Sequence, residues 1–370
     1  MKGTILPAIG QPLEVVDDLE LAEPRQGEVR VRIHTSGVCH SDLSVQNGTI
    51  MVPLPAVLGH EAAGIVEAVG PGVTTVEPGD HVVLSFVPEC GRCWFCRRGQ
   101  PNLCEVATGG IVRGGLYDGQ SPFSRQGQRV NQMTQCGTFA EATVVPEGGV
   151  IKIDPSIPLE DAALLGCGVT TGVGAVFNTA RVEEGSSVAV IGAGGVGLNV
   201  IQGAVIAGAA QIIAVDLLDS KLELARSFGA THTVNAGAGD PVAKVRELTG
   251  HRGVDYAFEV IGLPKTQEQA YRMARRGGMA VFVGVPKMTE MFQIQAFLPV
   301  FEEKTIKGCW YGSARTHVDI PKLLDLYKAG RLKLKELITK EFTLDQINEA
   351  LEALQKGEVA RGVVRISDGG

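Results

Sequence analysis

The stretch Ser187-Val-Ala-Val-Ile-Gly-Ala-Gly-Gly-Val-Gly197 passes from an apolar run directly into a glycine-rich turn. The run predicts a buried β-strand, and the apolar residues after the turn predict a helix. The turn fits G-x-G-x-x-G, in which glycines let helix N-terminal N–H groups approach a pyrophosphate closely. We therefore expect a dinucleotide site at Gly192, Gly194, Gly195, Val196 and Gly197, the alternative being an ordinary tight turn between a strand and a helix.

The chain around this turn alternates strands and helices from about residue 168 to residue 308. Residues 210–216, 254–262 and 279–286 predict buried strands, and residues 220–230 predict a helix, so we expect a doubly wound parallel sheet. Asp216 ends the strand after the turn, 19 residues beyond Gly197. A carboxylate there accepts hydrogen bonds from ribose hydroxyls and repels a 2′-phosphate, which favours NAD over NADP.

The remaining sequence has a different texture. The first 150 residues or so contain short β-type runs between glycines and prolines, which predict a largely antiparallel β unit. Residues 105–135 are polar and glycine-rich, and we expect one long loop there. The last sixty residues predict helices at 320–330 and 344–357 and a strand at 361–367. The class is thus α/β, with a second, β-rich unit.

The composition of the chain limits the classes of function that it can have. The 370 residues are 44% hydrophobic and 20% charged, with a net charge of -7, which fits two globular domains and argues against a nucleic-acid surface. The apolar segment from Val196 to Leu217 contains three amide side chains and Asp216, so a buried helix followed by a strand explains it better than a membrane span. No signal peptide is evident, and we expect a cytoplasmic protein without a membrane segment.

Four of the eight cysteines lie within fifteen residues, in CGRCWFCRRGQPNLC. Cys90, Cys93, Cys96 and Cys104 can surround one tetrahedral Zn²⁺ and leave no open position, so such a site is structural. An iron–sulfur cluster and a set of free or oxidised thiols are the alternatives. The chemistry is therefore expected elsewhere in the chain.

A second group of residues suits an open metal site. Cys39, His60 and Cys167 together supply two thiolates and one imidazole, and three protein ligands leave the fourth position that catalytic zinc requires. Inert buried cysteines and a core histidine are the alternative interpretation. Cys136 and Cys309 fit neither group, and we interpret them as buried thiols.

The motifs GVCHSDL, PAVLGHEAAGIVEAVG, CGRCWFC, GCGVTTG and VAVIGAGGVGLNVIQGA occur in this order along the chain. Together they resemble the zinc-dependent medium-chain alcohol dehydrogenases, especially the long-loop, dimeric branch. The resemblance implies a GroES-like catalytic domain at 1–168, an NAD-binding Rossmann domain at 169–309 and a return to the catalytic domain at 310–370. It also implies two zinc ions per subunit, oxidation of a primary alcohol to an aldehyde with NAD, and a homodimer, with a homotetramer as the alternative.

The same resemblance implies roles for individual residues. Cys39, His60 and Cys167 correspond to the catalytic zinc ligands, and Cys90, Cys93, Cys96 and Cys104 to the structural ones. Asp42 corresponds to a carboxylate that orients the ligand histidine, Glu61 to an acid behind the metal, and Ser41 to the hydroxyl that takes the substrate proton. The expected cofactor contacts are the pyrophosphate for His40 and Arg361, the ribose for Lys221 and the nicotinamide for Thr171. The expected substrate pocket, suited to aliphatic, allylic or benzylic alcohols, is lined by Phe86, Val285 and Trp310.

One departure from the family pattern, and one property of some relatives, keep other activities in view. Ser44 stands where the family carries a proton-relay histidine, and some relatives hold the nicotinamide cofactor permanently. A thiol-dependent formaldehyde dehydrogenase is a further alternative, although Ile50 and Thr108 occupy the places of its anion-binding pair and only Arg113 lies nearby. Outside this activity we consider a zinc-free reductase of the same fold, a non-catalytic NAD-binding redox regulator, and an interaction module centred on the loop at 91–103.

Overall fold

The computed structural model describes residues 1–367. Its strands are β1 (Gly3–Ile5), β2 (Glu14–Val16), β3 (Glu20–Leu21), β4 (Glu28–Val38), β5 (Ala56–Val57), β6 (Ala62–Val69), β7 (His81–Leu84), β8 (Phe123–Arg125), β9 (Gln128–Gln132), β10 (Ala142–Pro146), β11 (Val150–Lys152), β12 (Ser187–Ile191), β13 (Gln211–Asp216), β14 (His232–Asn235), β15 (Val254–Glu259), β16 (Ala274–Phe282), β17 (Thr305–Gly308), β18 (Ile338–Thr343) and β19 (Arg361–Arg365). Its α-helices are α1 (His40–Gln46), α2 (Glu105–Arg113), α3 (Leu159–Ala163), α4 (Gly168–Gly174), α5 (Gly195–Ile206), α6 (Asp219–Ser227), α7 (Pro241–Leu248), α8 (Pro264–Met273), α9 (Phe297–Glu302), α10 (Thr316–Lys328) and α11 (Ile347–Gln355).

The chain divides into two compact units. The first contains Met1–Gly168, Arg315–Lys328 and the chain from Leu334 onward, and the second contains Val169–Ala314 and Ala329–Lys333. Compared with the boundaries after residues 168 and 309 that the sequence suggests, the second unit extends to Ala314 and takes in the short segment at 329–333.

The second unit is built on a six-stranded parallel sheet in the order β14-β13-β12-β15-β16-β17. Its central strands are continuous runs of small and β-branched residues, because helices cover both faces of such a sheet. The side chains of Ala189, Ile191, Ile213 and Val215 are all buried in one core cluster with residues from α7 and α8. The predicted doubly wound parallel sheet is therefore confirmed.

The first unit is built on a mainly antiparallel sheet in the order β11-β7-β6-β4-β19-β18, with β10 also paired to β4. Strand β4 shows why this segment forms a half-buried strand. Val29, Val31 and Ile33 are fully buried in the core, and the alternating Arg30 and Arg32 form ion pairs with the Glu67 carboxylate on β6. The predicted antiparallel β unit is likewise confirmed.

The predicted long loop at 105–135 is wrong. Most of this segment is occupied by α2, β8 and β9. The Cys104 sulfur caps α2 by accepting from the Ala107 N–H, and Gly114 ends the helix with φ +66. Gln126 and Gly127, both with positive φ, form the tight turn between β8 and β9. The helix contains glycines and the strands are polar, so the sequence shows neither the apolar repeat of an amphipathic helix nor the apolar–polar alternation of a strand.

No single helix among residues 1–367 is long and apolar enough to cross a membrane. One bent pair of helices, Leu159–Gly166 and Gly168–Ala180, reaches the required length and composition only when the two helices are counted together.

Close packing between β4 and β6 makes a first prediction. A Cβ added to Gly64 would lie 2.1 Å from the Arg32 carbonyl oxygen, whereas one added to the strand residue Gly308 would meet nothing within 4 Å. We expect Gly64→Ala to lower the free energy of unfolding by about 1–3 kcal/mol, as overpacking does, and Gly308→Ala to leave it nearly unchanged. Urea unfolding followed by fluorescence measures both, and equal midpoints for the two variants would contradict the packing described.

Candidate active site and metal centres

The junction between β4 and α1 positions the first candidate ligand. Cys39 follows β4 in an extended conformation and is the N-cap of α1. The Asp42 carboxylate turns back from the third position of the helix and accepts a hydrogen bond from the Cys39 N–H at 2.9 Å. Asp42 is completely buried. The backbone that carries the Cys39 thiol is therefore fixed by a carboxylate rather than by solvent.

The same carboxylate positions His60. The Gly59 N–H donates to Asp42 Oδ1 at 3.2 Å, and His60 Nδ1 lies 3.2 Å from the same oxygen. Gly59 has φ +86, and a Cβ there would lie 2.5 Å from Thr138 Oγ1, so this turn requires glycine. With Nδ1 directed to Asp42, His60 Nε2 is buried and finds no hydrogen-bond partner within residues 1–367. An unpartnered imidazole nitrogen backed by a carboxylate fits a metal ligand.

The structure brings the predicted open-site residues together. Ligand atoms of Cys39, His60, Glu61 and Cys167 lie within 4.8 Å of one another, and all four residues are buried. Two sulfurs with one imidazole form a donor set that suits Zn²⁺. The Cys167 thiol hydrogen-bonds to Cys39, so the pKa of Cys39 falls well below its usual value and that of Cys167 rises well above it. A shared proton between two sulfurs is what a bound dication would displace.

A buried ion pair lies against this cluster. Arg361 on β19 places a guanidinium nitrogen 3.6 Å from Glu61 Oε2, which also accepts from the Gly168 N–H at 3.2 Å. Burial raises the pKa of Glu61 to about 7, against the opposing effect of Arg361. Two glycines make room for the pair. A Cβ added at Gly37 would lie 2.5 Å from Glu61 Oε1, and one added at Gly168 would collide with the Arg361 guanidinium. The predicted pyrophosphate contact of Arg361 stays a prediction.

The cluster of four cysteines forms a compact second site. The sulfurs of Cys90, Cys93, Cys96 and Cys104 lie within 4.8 Å of one another, and the Cys93 and Cys104 sulfurs are 3.9 Å apart. This separation suits tetrahedral Zn–S bonds of about 2.3 Å. Backbone N–H groups of Cys93 and Cys96 donate to the preceding cysteine sulfurs. Although burial opposes ionisation, such N–H donors lower the pKa of Cys93 to about 6, which prepares the thiolate for a cation.

The glycine-rich turn has the geometry of a nucleotide cradle. Gly192 has φ +101, and a Cβ at Gly197 would lie 1.8 Å from the Gly192 carbonyl oxygen, so strand and helix approach too closely for any side chain. A Cβ at Gly194 would meet nothing within 4 Å, and no side chain caps α5. Asp216 Oδ2 accepts from the Ala193 N–H at 2.8 Å, which holds the carboxylate beside the turn. Open space at an uncapped helix N-terminus suits a pyrophosphate.

The remaining predicted residues lie in both units. Ser41 is partly buried on α1, with its hydroxyl 3.9 Å from the Cys39 sulfur. Phe86 is buried, and its ring packs edge-on against His60 with centroids 5.6 Å apart. Five other predicted residues are not among the clustered ligands: His40 begins α1, Thr171 lies on α4, Lys221 lies in the first turn of α6, and Val285 and Trp310 are about half exposed in the second unit.

Sequence reasoning missed the glycines that build the site. Gly37, Gly59 and Gly168 each admit a buried polar group that any side chain would displace. Each of these glycines lies within two residues of a candidate ligand, and that proximity could have pointed to them. Glycine is so common in this chain, however, that proximity to a ligand does not single out a functional glycine. Tyr117 was also missed. Burial and the nearby cysteine sulfurs raise the pKa of its phenol, which donates to the Glu89 carbonyl oxygen.

Comparison with known proteins places these sites in context. A model of the alcohol dehydrogenase GroES-like domain matches residues 25–155, and a model of the zinc-binding dehydrogenases matches residues 195–329. The chain is 42% identical to an NDMA-dependent alcohol dehydrogenase of Amycolatopsis methanolica, with 98% of each chain covered. It is 40% identical to alcohol dehydrogenase 1 of Pisum sativum, with 97% of this chain and 95% of that protein covered. Its fold is similar to the crystal structure of benzyl alcohol dehydrogenase from Acinetobacter calcoaceticus, with a TM-score of 0.94, 36% identity and 99% of both chains covered.

The two cysteine-containing clusters predict a metal stoichiometry. We expect about two zinc ions per chain, because each cluster offers a complete donor set. Cys39→Ala removes one ligand of the open cluster and leaves one zinc bound, whereas Cys136→Ala, a buried thiol outside both clusters, retains both ions. Inductively coupled plasma mass spectrometry on gel-filtered protein measures the ratio. Two retained zinc ions in Cys39→Ala would remove that residue from the metal site.

The glycine turn predicts a separation of binding from stability. Gly194→Ala adds a methyl group to open space at a residue with φ −81, so folding is unaffected, but the methyl occupies the position where a pyrophosphate would approach. We expect NAD affinity to fall about tenfold or more while the melting temperature is unchanged. Gly197→Ala forces apart Gly192 and α5 and lowers stability by about 1–3 kcal/mol. Calorimetric NAD titration and thermal unfolding test the pair, and unchanged NAD affinity in Gly194→Ala would contradict it.

Proposed function

The chain belongs to the zinc-dependent medium-chain alcohol dehydrogenase family, and from that premise we propose that it oxidises primary alcohols to aldehydes with NAD and catalyses the reverse reduction. The observation that carries this proposal is the buried cluster of Cys39, His60 and Cys167, in which Asp42 holds His60 Nδ1 and leaves Nε2 without a partner among the described residues. A donor set of this kind with three protein ligands leaves one position for a substrate oxygen.

The first unit supplies the proposed metal ligands. Cys39, His60 and Cys167 hold the catalytic zinc, and the four cysteines at 90, 93, 96 and 104 hold a structural zinc. When bound, the catalytic ion supplies Lewis acidity that lowers the pKa of a coordinated hydroxyl. Glu61 lies in the same cluster, where Arg361 and the Gly168 N–H hold its Oε2 and its Oε1 has no hydrogen-bond partner among the described residues.

Ser41 is the residue that we assign to proton transfer. It lies on the first turn of α1, is partly buried, and has its hydroxyl 3.9 Å from the Cys39 sulfur. A hydroxyl both accepts and donates a proton, so Ser41 can take the substrate proton and pass another on. Ser44 occupies the next turn of α1 in place of a titratable histidine. We therefore propose that the proton reaches solvent through water rather than through a histidine.

The second unit supplies the proposed nucleotide site. The turn at 192–197 receives the pyrophosphate, and the Asp216 carboxylate, held beside it by the Ala193 N–H, accepts from the adenosine ribose. Negative charge at this place supports NAD over NADP. Held there, the nicotinamide would supply the acceptor for the hydride that leaves the carbinol carbon. His40, Thr171, Lys221 and Arg361 remain the proposed additional cofactor contacts.

The substrate class follows from the wall beside His60. Phe86 is buried and packs edge-on against the imidazole, so an aromatic surface adjoins the proposed catalytic ligand. Such a surface favours apolar primary alcohols, including aliphatic, allylic and benzylic ones. The similarity to benzyl alcohol dehydrogenase from Acinetobacter calcoaceticus supports the benzylic part of this class. Val285 and Trp310 are the further pocket residues that we propose, and a homodimer is the proposed assembly.

A second candidate is an alcohol dehydrogenase whose nicotinamide stays bound and is regenerated by a second substrate. The observation that favours it is the 42% identity, over 98% of both chains, to a relative named for its dependence on NDMA. The thiol-dependent formaldehyde dehydrogenase gains less support. Arg113, its nearest cation, donates a hydrogen bond to the Tyr117 carbonyl oxygen within the α2–β8 segment.

One experiment tests the proposal and separates the two candidates. Gel-filtered protein is assayed for retained nicotinamide after acid extraction, and for benzyl alcohol turnover with added NAD or NADP. We expect no retained cofactor and turnover with NAD. Ser41→Ala leaves both cysteine clusters intact and should lower kcat about 100-fold or more, because positioned proton transfer contributes that much. Cys136→Ala, the matched control, should leave kcat unchanged.

The other outcomes have distinct meanings. Retained nicotinamide, with turnover only when a second acceptor is added, would establish the cofactor-bound candidate instead. A zinc-loaded, NAD-binding protein that turns over no primary alcohol under either condition would overturn the proposed dehydrogenase activity and revive the redox regulator.

A further inference from the structure

Strand β15 ends in a buried acid beside the nucleotide turn. Glu259 is the last residue of β15 and is completely buried. It pairs in parallel register with Ile191, the last residue of β12, which directly precedes Gly192. The carboxyl ends of neighbouring parallel strands lie at one edge of the sheet, where the ligands of doubly wound folds bind. Glu259 is therefore next to the glycine turn without belonging to it.

The Glu259 carboxylate fixes the backbone that follows it. Its Oε1 accepts hydrogen bonds from the Ile261 N–H, the Gly262 N–H and the Thr266 hydroxyl, each at 2.8 Å. A buried carboxylate is tolerated when donors surround it in this way. One oxygen thus holds the segment 260–262 and the first turn of α8 in a single arrangement.

The segment 260–262 packs directly against the nucleotide turn. The Val260 N–H donates to the Ile191 carbonyl oxygen at 3.0 Å. A Cβ added to Gly192 would lie 2.8 Å from Ile261 Cγ1, and one added to Gly197 would lie 3.2 Å from Val260 Cγ2. Although Ile261 is apolar and packs on this turn, it is 46% exposed. Apolar surface beside an open pyrophosphate site is available for a bound dinucleotide to cover.

The same segment contacts the residues that follow β16 on its other side. A Cβ added to Gly262 would lie 2.6 Å from the Val285 carbonyl oxygen, and one added to Gly284 would lie 2.1 Å from the Gly262 nitrogen. The Glu259 carbonyl oxygen also accepts from the Gly284 N–H at 3.1 Å. The segment 260–262 therefore lies between the glycine turn and Val285, which we propose as a pocket residue.

We propose that Glu259 is a positioning residue for the cofactor, whose carboxylate holds the segment 260–262 against the turn at 192–197 and thereby raises the affinity of the chain for NAD. This inference rests on the proposed function, because it takes the glycine turn to be the NAD site. Glu259 is buried and acts through Val260 and Ile261 rather than by touching the nucleotide. A segment that is already ordered costs no further ordering on binding, so its loss weakens binding and spares the chemical step.

The test is calorimetric titration of the gel-filtered full chain with NAD. We expect Glu259→Ala to weaken NAD binding about tenfold or more, because the segment 260–262 is no longer held in place. In turnover of benzyl alcohol, the KM for NAD should rise by a similar factor, while kcat at saturating NAD changes less than about twofold. If the nicotinamide co-purifies with the protein, the amount retained per chain after acid extraction gives the same comparison.

Two milder variants preserve the volume of the buried side chains. Glu259→Gln keeps an oxygen that accepts from the same three donors, so we expect affinity for NAD to stay within about twofold of that of the wild-type chain. Thr266→Val removes one of the donors and should weaken NAD binding about three- to fivefold. Both variants decide the question even if Glu259→Ala does not fold.

Asp255, near the other end of β15, is the matched control. Its carboxylate also has three donors, which are the N–H and the hydroxyl of Ser187 and the Nε of Arg275. Because Asp255 lies near the amino end of the strand, it is at the edge of the sheet opposite the glycine turn. Asp255→Ala should lower the melting temperature and leave NAD affinity unchanged, which separates positioning of the cofactor site from a general loss of stability.

The outcomes for this inference and for the proposed function are distinct. NAD affinity in Thr266→Val and in folded Glu259→Ala equal to that of the wild-type chain would overturn the positioning role alone. So would an equal loss of affinity in Asp255→Ala. A wild-type chain that neither binds added NAD nor retains nicotinamide would overturn the nucleotide site, and the proposed function with it. The expected pattern of NAD affinities without turnover of any primary alcohol would support the positioning role and overturn the dehydrogenase activity.

Discussion

The three hydrogen bonds of the Asp42 carboxylate are the constraint on which the candidate active site depends. Asp42 accepts from the Cys39 N–H, the Gly59 N–H and His60 Nδ1, and it is completely buried. A buried carboxylate is tolerated only when donors surround it. Two of these donors belong to the segment before β6, and the third belongs to the N-cap of α1. One carboxylate therefore sets the positions of both the Cys39 thiol and the His60 imidazole, which are 21 residues apart in sequence.

Charge compensation explains why the C-terminal strand belongs to the same site. A buried arginine or glutamate without a partner is strongly destabilising. Strand β19 pairs antiparallel with β4 in the register Gly362 to Val38, which brings Arg361 to the end of β4 and within 3.6 Å of Glu61. Glycines at 37 and 168 leave the space that the two side chains occupy. The site thus combines residues from the start, the middle and the end of the first unit.

Local patterns in the sequence were sufficient for the parallel sheet, the glycine turn and the cysteine cluster. In each case the physical determinant is contained within a short segment, such as the close approach of Gly197 to Gly192 or the spacing of Cys90, Cys93 and Cys96. The gathering of Cys39, His60 and Cys167 was different, because only a family resemblance, and not spacing, could bring them together. The elements within residues 105–135 were mispredicted as one loop because α2, β8 and β9 depend on tertiary packing, which overrides weak local propensity.

The two candidate metal centres differ in how their possible ligands are supplied, and this difference is the reason for proposing one closed and one open site. In the cysteine cluster four sulfurs come from one loop, whose own N–H groups donate to them, so the complete tetrahedron is a local property. In the other cluster the ligands come from separate elements, and the fourth nearby group is the Glu61 carboxylate. Arg361 and the Gly168 N–H both bind one oxygen of that carboxylate. Both bonds are made to Oε2, and Oε1 has no hydrogen-bond partner among the described residues. The ion pair therefore fixes the buried carboxylate beside the three candidate ligands, because removing Arg361 would leave an uncompensated charge there.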